Sequence, residues 1–209
     1  MEWKFPFTAV ISGPSGSGKS HFIDRFIKNL NQMVDVKFDR IMLYYTEWQN
    51  GYLRLGKDIE FHEGLPQFSD FSSDNKPKLV ILDDLQKESS NNIVADIFTK
   101  GSHHWGISVI FVTQNLFHQG RNQRTIALNT SYLVIFKNPR DRSQINHMAR
   151  QVYPEDPKFL QEAYHDATAR PHATVTYYWI SNRTHTNLSE CGQIFFPMMR
   201  STMFMYLKL

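Results

Sequence analysis

Residues 13–20 read Gly-Pro-Ser-Gly-Ser-Gly-Lys-Ser and match every position of the pattern G-x-x-x-x-G-K-[ST]. The three glycines of this stretch allow a tight backbone path that directs several N–H groups at one anion. Lys19 adds a mobile cation, and Ser20 adds a hydroxyl ligand for a divalent metal. The stretch therefore predicts a loop that binds phosphate groups.

The residues on both sides of the loop have the pattern that such a loop requires. Residues 7–12 form a short apolar, β-branched run, which is typical of a buried strand. After the loop, apolar residues recur at helical spacing: Phe22, Ile23, Phe26, Ile27 and Leu30. A strand, a phosphate loop and a helix in this order predict a site for ATP, with the phosphates at the N-terminus of the helix. We expect the nucleotide to contact Gly13, Pro14, Ser15, Gly16, Ser17, Gly18, Lys19, Ser20 and His21.

The rest of the chain alternates between strand and helix patterns. Further strands are predicted at residues 40–45, 59–62, 78–82, 107–113, 132–137 and 174–180, and further helices at 91–100, 143–151 and 157–169. This alternation predicts an α/β P-loop NTPase fold, with a doubly wound, mainly parallel sheet flanked by helices. We expect a single ATPase domain at residues 1–181 and a short C-terminal extension at residues 182–209, where the pattern is weak.

Two acidic residues, Asp83 and Asp84, follow the continuous apolar run at residues 78–82. Such a run is typical of a strand buried on both faces, and open α/β sheets bind their ligands at the carboxyl ends of these strands. We expect Asp83 to hold Mg²⁺ opposite Ser20, and Asp84 to orient or deprotonate the attacking water. The alternative is a turn whose aspartates cap the next helix.

Gln114 follows the apolar run at residues 107–113 and is a candidate sensor of the γ-phosphate or of its water. This role requires its strand to lie beside the phosphate-loop strand, as in P-loop folds of the additional-strand type. Phosphoryl transfer also uses positive charge, commonly an arginine supplied in trans. The candidates are Arg121, Arg124, Arg140 and Arg142. We place Arg124 with Lys19, Asp84 and Gln114 in the catalytic set and keep the other three as alternatives.

The composition limits the class of protein. Of 209 residues, 41% are hydrophobic and 21% charged, which is ordinary for a globular protein, and the net charge of +3 hints only weakly at a polyanionic partner. The single cysteine, Cys191, excludes an internal disulfide and a cysteine-rich zinc site. We find no signal-peptide pattern and no long apolar run, so we expect an intracellular protein that is neither secreted nor bound to a membrane.

The order of three segments resembles the FtsK–HerA superfamily of DNA-pumping ATPases. These segments are residues 13–20, residues 79–84 and residues 112–115, the last reading Val-Thr-Gln-Asn. The most specific part is residues 98–141, which includes Gly-Ser-His-His-Trp-Gly and later Lys-Asn-Pro-Arg-Asp. Over about residues 7–180 the chain is most similar to the genome-packaging ATPases of Polinton/Maverick elements, adintoviruses and large DNA viruses related to poxviruses.

This resemblance implies a homo-oligomeric ring, pentameric or hexameric, that binds ATP between subunits and moves double-stranded DNA into a capsid. The implied partners are double-stranded DNA and a capsid or portal-vertex protein, in the host nucleus or cytoplasm where virions assemble. Lys19 and Ser20 would bind ATP and Mg²⁺, Asp83 would bind Mg²⁺, Asp84 would activate water and Gln114 would sense the γ-phosphate. Many such ATPases carry Glu where this chain has Asp84, whose side chain is one methylene shorter.

Two other functions use a similar phosphate loop. A DNA helicase or replication-associated ATPase would have the same site chemistry. A nucleotide kinase is the other alternative, because residues 13–20 also resemble the phosphate loop of guanylate kinases. A kinase must exclude water rather than activate it, so the pair Asp83 and Asp84 and the strand-end Gln114 favour hydrolysis.

Overall fold

The structure is a computed structural model that describes residues 2–71, 76–85, 92–101, 105–115, 122–140, 143–152, 154–168 and 174–178. At residues 123, 124, 152 and 174–178 the description covers the backbone alone. The predicted C-terminal extension at residues 182–209 lies outside the described residues, so the predicted domain division stays a prediction.

Seven strands form one sheet, in the order β3-β2-β4-β5-β1-β6-β7. The first six are parallel, and β7 pairs antiparallel with β6. The strands are β1 (Thr8–Ser12), β2 (Arg40–Tyr45), β3 (Ile59–Glu63), β4 (Lys78–Asp83), β5 (Ile107–Thr113), β6 (Tyr132–Phe136) and β7 (Thr174–Tyr178). The prediction of a mainly parallel sheet is confirmed.

The helices are α1 (Lys19–Lys28), α2 (Leu30–Met33), α3 (Asn92–Asp96), α4 (Gln123–Leu128), α5 (Ser143–Val152) and α6 (Pro157–Ala167). Two 3₁₀ turns lie at Asn50–Arg54 and Phe68–Asp70, and α3 continues into one π-helical turn at Ile97–Gly101. The sequence pattern missed α2, α4 and both 3₁₀ turns, because pieces of three to six residues are too short to display a helical period. Within the described residues, no helix is long and apolar enough to cross a bilayer.

The sheet is packed on both faces. Alternate side chains of β4 enter two different apolar clusters: Leu79 and Ile81 pack with α1 and α2, whereas Val80 and Leu82 pack with the helices of the other face. This alternation follows from the two-residue period of a strand, and burial on both faces explains the continuous apolar runs of β4 and β5. The predicted doubly wound fold is therefore confirmed.

Strand β5 lies between β1 and β4 and pairs with both. This is the additional-strand arrangement that the proposed role of Gln114 requires. Ser12 at the end of β1 is in register with Thr113, and Asp83 at the end of β4 is in register with Val112. Three neighbouring strands thus end at the same edge of the sheet, beside the phosphate loop.

Candidate nucleotide site

The phosphate loop leaves β1 and enters α1, which begins at Lys19. Gly16 and Gly18 have φ values of 75° and 109°, a region that residues with a side chain rarely adopt. A Cβ atom on Gly13 would lie 2.6 Å from Cβ of Phe136 and 2.8 Å from Oγ of Ser17. The glycines are therefore required for the loop path and for its close packing against β6.

Strand β5 ties the phosphate loop to the acidic pair. The backbone N–H of Gly13 donates to the carbonyl of Thr113 at 3.2 Å, and the N–H of Asp84 donates to the carbonyl of Val112 at the same distance. These two bonds extend the sheet ladder beyond the strand ends. As a result, the loop and the acidic pair are held on either side of one strand.

Lys19 lies across the phosphate loop. Its Nζ donates to the carbonyl oxygens of Gly13 at 2.6 Å and Pro14 at 3.0 Å. Burial lowers the pKa of Lys19, and the nearby carboxylates of Asp83 and Asp84 oppose this shift. The lysine is thus a partly desolvated cation, and such a group binds an anion such as phosphate favourably.

Asp83 is buried, with 6% of its surface exposed, and its Oδ2 accepts a hydrogen bond of 2.7 Å from the hydroxyl of Tyr52. Burial raises the pKa of the Asp83 carboxyl, while the bond from Tyr52 and the charge of Lys19 oppose the shift. Burial and the adjacent Asp83 also raise the pKa of Tyr52 well above its ordinary value. Its hydroxyl therefore keeps its proton and remains a donor at neutral pH.

Asp84 is exposed and adopts a left-handed backbone conformation with φ 55°. Its Oδ2 accepts a hydrogen bond of 3.1 Å from Nε2 of Gln114, and its carbonyl accepts one of 3.3 Å from Oγ1 of Thr46. The two aspartates are consequently distinct, since Asp83 points into a buried contact and Asp84 remains open to solvent beside Gln114.

These groups surround a cavity of about 320 Å³ at the carboxyl edge of the sheet. Its lining residues come from the phosphate loop, the acidic pair and the end of β5, together with Gln49: Ser15, Gly16, Gly18, Lys19, Ser20, His21, Gln49, Asp83, Asp84, Val112, Thr113 and Gln114. A cavity of this size is typical of a small-molecule site. The structure thus brings together the predicted loop, the acidic pair and Gln114.

The donor set in this cavity suits Mg²⁺. The hydroxyl of Ser20 and the carboxylate of Asp83 are oxygen donors, which this hard cation prefers. Burial disfavours the charged form of the Asp83 carboxylate, and a cation bound beside it would stabilise that form. No cluster of three or more His, Cys, Asp or Glu side chains that could hold a metal occurs among the described residues. Phosphate oxygens and water would therefore have to complete the coordination.

Some of the predicted site residues lie outside the cavity lining or outside the described part of the chain. Gly13, Pro14 and Ser17 do not line the cavity, although the carbonyls of Gly13 and Pro14 accept from Lys19. Arg124 lies on α4, and its side chain is outside the description. Arg121 and Arg142 are outside the described residues, and Arg140 is exposed in the segment after β6. The choice of arginine thus stays a prediction.

Three contributors to the site were missed by sequence reasoning: Thr46, Gln49 and Tyr52. They belong to the segment after β2, which reads as an ordinary polar stretch. Their place is decided by the pairing of β2 with β4, which puts Tyr45 in register with Asp83. The aromatic residues Trp48 and Tyr52, which interrupt this polar stretch after a strand, were the available signal.

The fold and the loop define the class: this is an α/β P-loop NTPase fold with the additional strand. The sequence matches no protein-family profile and no curated protein. The structure is similar to the genome packaging NTPase B204 from Sulfolobus turreted icosahedral virus 2 in complex with AMP, with a TM-score of 0.58 and 14% identity over 83% of this chain and 92% of that one. Against the ATP-gammaS complex of B204, the TM-score is 0.55 and the identity 13%, over 83% and 92% of the two chains.

A second structural relative belongs to a much longer protein. This is the cytoplasmic domain of the Thermomonospora curvata Type VII secretion ATPase EccC, with a TM-score of 0.55 and 12% identity over 82% of this chain and 24% of that one. At identities this low, these structural likenesses show a shared fold alone.

Proposed function

We propose that this chain is an ATPase that couples hydrolysis to the translocation of double-stranded DNA during packaging of a viral or virus-like genome. The observation that carries the hydrolytic part is the shared cavity of the phosphate loop, Asp83, Asp84 and Gln114. This cavity holds a phosphate-binding loop, oxygen donors for a metal, a carboxylate for the attacking water and a polar group for the γ-phosphate. The arginine is the one further group that the proposed reaction uses.

ATP binding uses the loop and the start of α1. Backbone N–H groups of residues 13–20 and the N-terminus of α1 receive the phosphates. The Nζ of Lys19 exchanges its bonds to two loop carbonyls for bonds to the β- and γ-phosphates, whose charge makes them stronger acceptors. Ser20 and Asp83 would hold Mg²⁺, which would supply positive charge to offset that of the phosphates.

Hydrolysis uses the exposed carboxylate of Asp84. A water oxygen attacks the γ-phosphorus in line with the bond to the ADP oxygen, which breaks as the new P–O bond forms. Asp84 orients this water and receives its proton. Gln114, which donates to Oδ2 of Asp84, senses whether the γ-phosphate is present. A neighbouring subunit supplies the arginine, for which Arg124 is our candidate.

Two lines support the assignment to DNA packaging. The first is the sequence resemblance of residues 98–141 to packaging ATPases, and the second is the likeness in fold to a viral genome packaging NTPase. On this proposal the chain forms a ring around double-stranded DNA and acts with a capsid or portal-vertex protein.

The test is ATP hydrolysis by the purified chain with and without linear double-stranded DNA. We expect stimulation by DNA, and Lys19→Ala should lower hydrolysis on the order of 100-fold, because one preorganised electrostatic contact to the phosphates is lost. Lys28→Ala is the matched control, since Lys28 lies on the same helix in an exposed ion pair with Asp24. Transfer of phosphate to GMP without DNA stimulation would contradict the proposal in favour of a kinase. Separation of a forked duplex would favour a helicase.

A further inference from the structure

The buried bond between Tyr52 and Asp83 has no part in the chemistry described so far. Tyr52 and Asp83 are 3% and 6% exposed as residues, and 2.7 Å separate the hydroxyl oxygen from Oδ2. A charge-assisted bond this short in a buried site is strong and directional. Among the described residues, the side-chain donor to Asp83 is Tyr52, so this bond fixes the rotation of the carboxylate.

The Tyr52 ring is itself held on several sides. Its centroid lies 5.6 Å from that of Tyr45, 5.5 Å from that of Trp48 and 6.0 Å from that of Phe61. The 3₁₀ turn at Asn50–Arg54 follows β2, and the Tyr52 hydroxyl on this turn reaches Asp83 at the end of β4. The donor is therefore preorganised by packing before any ligand binds.

We propose that Tyr52 is a positioning residue for the metal site: its hydroxyl holds Oδ2 of Asp83 and so presents the other carboxylate oxygen to the Mg²⁺ that accompanies ATP. This inference rests on the proposed function, because it takes Asp83 as the metal ligand. It extends that function to a segment, residues 46–54, that lies outside the phosphate loop and the strands.

Groups that hold a metal ligand in place affect the affinity for the metal more than the affinity for the rest of the ligand. Loss of such a partner commonly weakens metal binding by about 10- to 100-fold. In Tyr52→Phe the ring packing is kept, while the Asp83 carboxylate loses its donor and its fixed orientation. We expect metal affinity to fall about 10-fold, and ATP hydrolysis to recover as the Mg²⁺ concentration is raised.

The experiment measures Mn²⁺ binding by electron paramagnetic resonance in the presence of a non-hydrolysable ATP analogue, and analogue binding without metal by calorimetry. Tyr45→Phe is the matched control, because it removes a hydroxyl from the same aromatic cluster and leaves the Tyr52–Asp83 bond intact. We expect Tyr52→Phe to weaken Mn²⁺ binding about 10-fold and to leave metal-free analogue binding within about twofold, whereas Tyr45→Phe changes neither.

The outcomes separate this inference from the proposed function. Wild-type Mn²⁺ affinity in Tyr52→Phe, or an equal loss in Tyr45→Phe, would overturn the positioning role while the ATPase assignment stands. If the wild-type chain binds no metal–nucleotide complex, both proposals fail. Should thermal unfolding reveal that Tyr52→Phe is not folded, p-aminophenylalanine is introduced at position 52 instead. Its amino N–H stands where the hydroxyl stood and can still donate to Asp83, so Mn²⁺ affinity should stay within about threefold of wild type, and a 10-fold loss there would overturn the role.

Discussion

Asp84 combines a special backbone conformation with the proposed chemical role. Its φ of 55° lies in the left-handed region, where Asp and Asn are tolerated better than other residues with a side chain. The bond from Gln114 orients its carboxylate, and Thr46 holds its backbone carbonyl. The strain at this position is thus compensated by contacts on both its main chain and its side chain, which keeps the carboxylate at the cavity edge.

Replacement of Asp84 by Asn should separate catalysis from folding. Asn adopts the left-handed conformation equally well and keeps the side-chain volume, so the free energy of unfolding should stay within about 0.5 kcal/mol of wild type. Hydrolysis should fall on the order of 100-fold or more, because an amide cannot accept the proton of the attacking water, while ATP binding persists. Urea unfolding and single-turnover hydrolysis measure the two effects.

The longer carboxylate is the informative control at this position. Asp84→Glu keeps the charge but places a less tolerated residue at φ 55°, so it should be less stable than Asp84→Asn yet retain some hydrolysis. Full hydrolysis by Asp84→Asn would contradict the assignment of Asp84 as the base.

At the scale of elements, the site depends on how neighbouring strands are joined. Strand β5 connects the phosphate loop and the acidic pair through the carbonyls of Thr113 and Val112, and β2 brings Tyr52 to Asp83. The far edge of the sheet, where β3 pairs with β2, is held by a two-bond ion pair. Glu60 accepts from Nε of Arg40 at 2.8 Å and from Nη2 at 2.5 Å. This pair stabilises the pairing of β3 with β2, and Phe61 of β3 packs against the ring of Tyr52.

The Arg40–Glu60 pair should make stability depend on pH in the acidic range. The bonds from Arg40 lower the pKa of Glu60 in the folded protein, with a smaller contribution from His62. The stabilisation is therefore fully present above the pKa of Glu in the unfolded chain, about 4.3, and is lost as the pH falls through the lower folded value. The contribution is small, because the Glu60 side chain is 41% exposed, and it should weaken further in salt.

Urea unfolding between pH 3 and 7 tests this assignment. Glu60→Gln should lower stability at neutral pH and reduce the loss of stability on acidification. The matched control is Glu63→Gln, an exposed position at the end of the same strand, which should behave as wild type. An unchanged pH profile in Glu60→Gln would contradict a role for the pair.

At the scale of the whole molecule, one sheet packed on both faces supports a site along one edge. The apolar clusters on the two faces bury the strands, and the strand ends leave their polar residues at the carboxyl edge. Such an edge is the usual ligand site of open α/β sheets.

On the proposed function, binding of this protein to double-stranded DNA should depend steeply on salt. Contacts to backbone phosphates release counterions, so affinity for double-stranded DNA should fall at least about tenfold between roughly 50 and 200 mM salt. The Lys19→Ala variant should have the same salt dependence, because Lys19 faces the nucleotide cavity. Fluorescence anisotropy with a labelled duplex measures this, and a flat response would argue against a DNA motor.

The sequence alone determined the phosphate loop, the strands of a mainly parallel sheet and the acidic pair, because local spacing and strand burial leave a period in the residues themselves. That six strands are parallel and β7 is antiparallel was decided by the tertiary structure. The predicted role of Gln114 as a γ-phosphate sensor required β5 to lie beside β1, and the strand order confirms this arrangement. The sequence could not supply Tyr52, Gln49 or Thr46. Tyr52 is 31 residues from its partner Asp83 along the chain, and Thr46 is 38 residues from its partner Asp84. These contacts form because β2 pairs with β4. The period of apolar residues determines whether a segment forms a helix or a strand, whereas the long-range pairing of strands determines which side chains are in contact at the site.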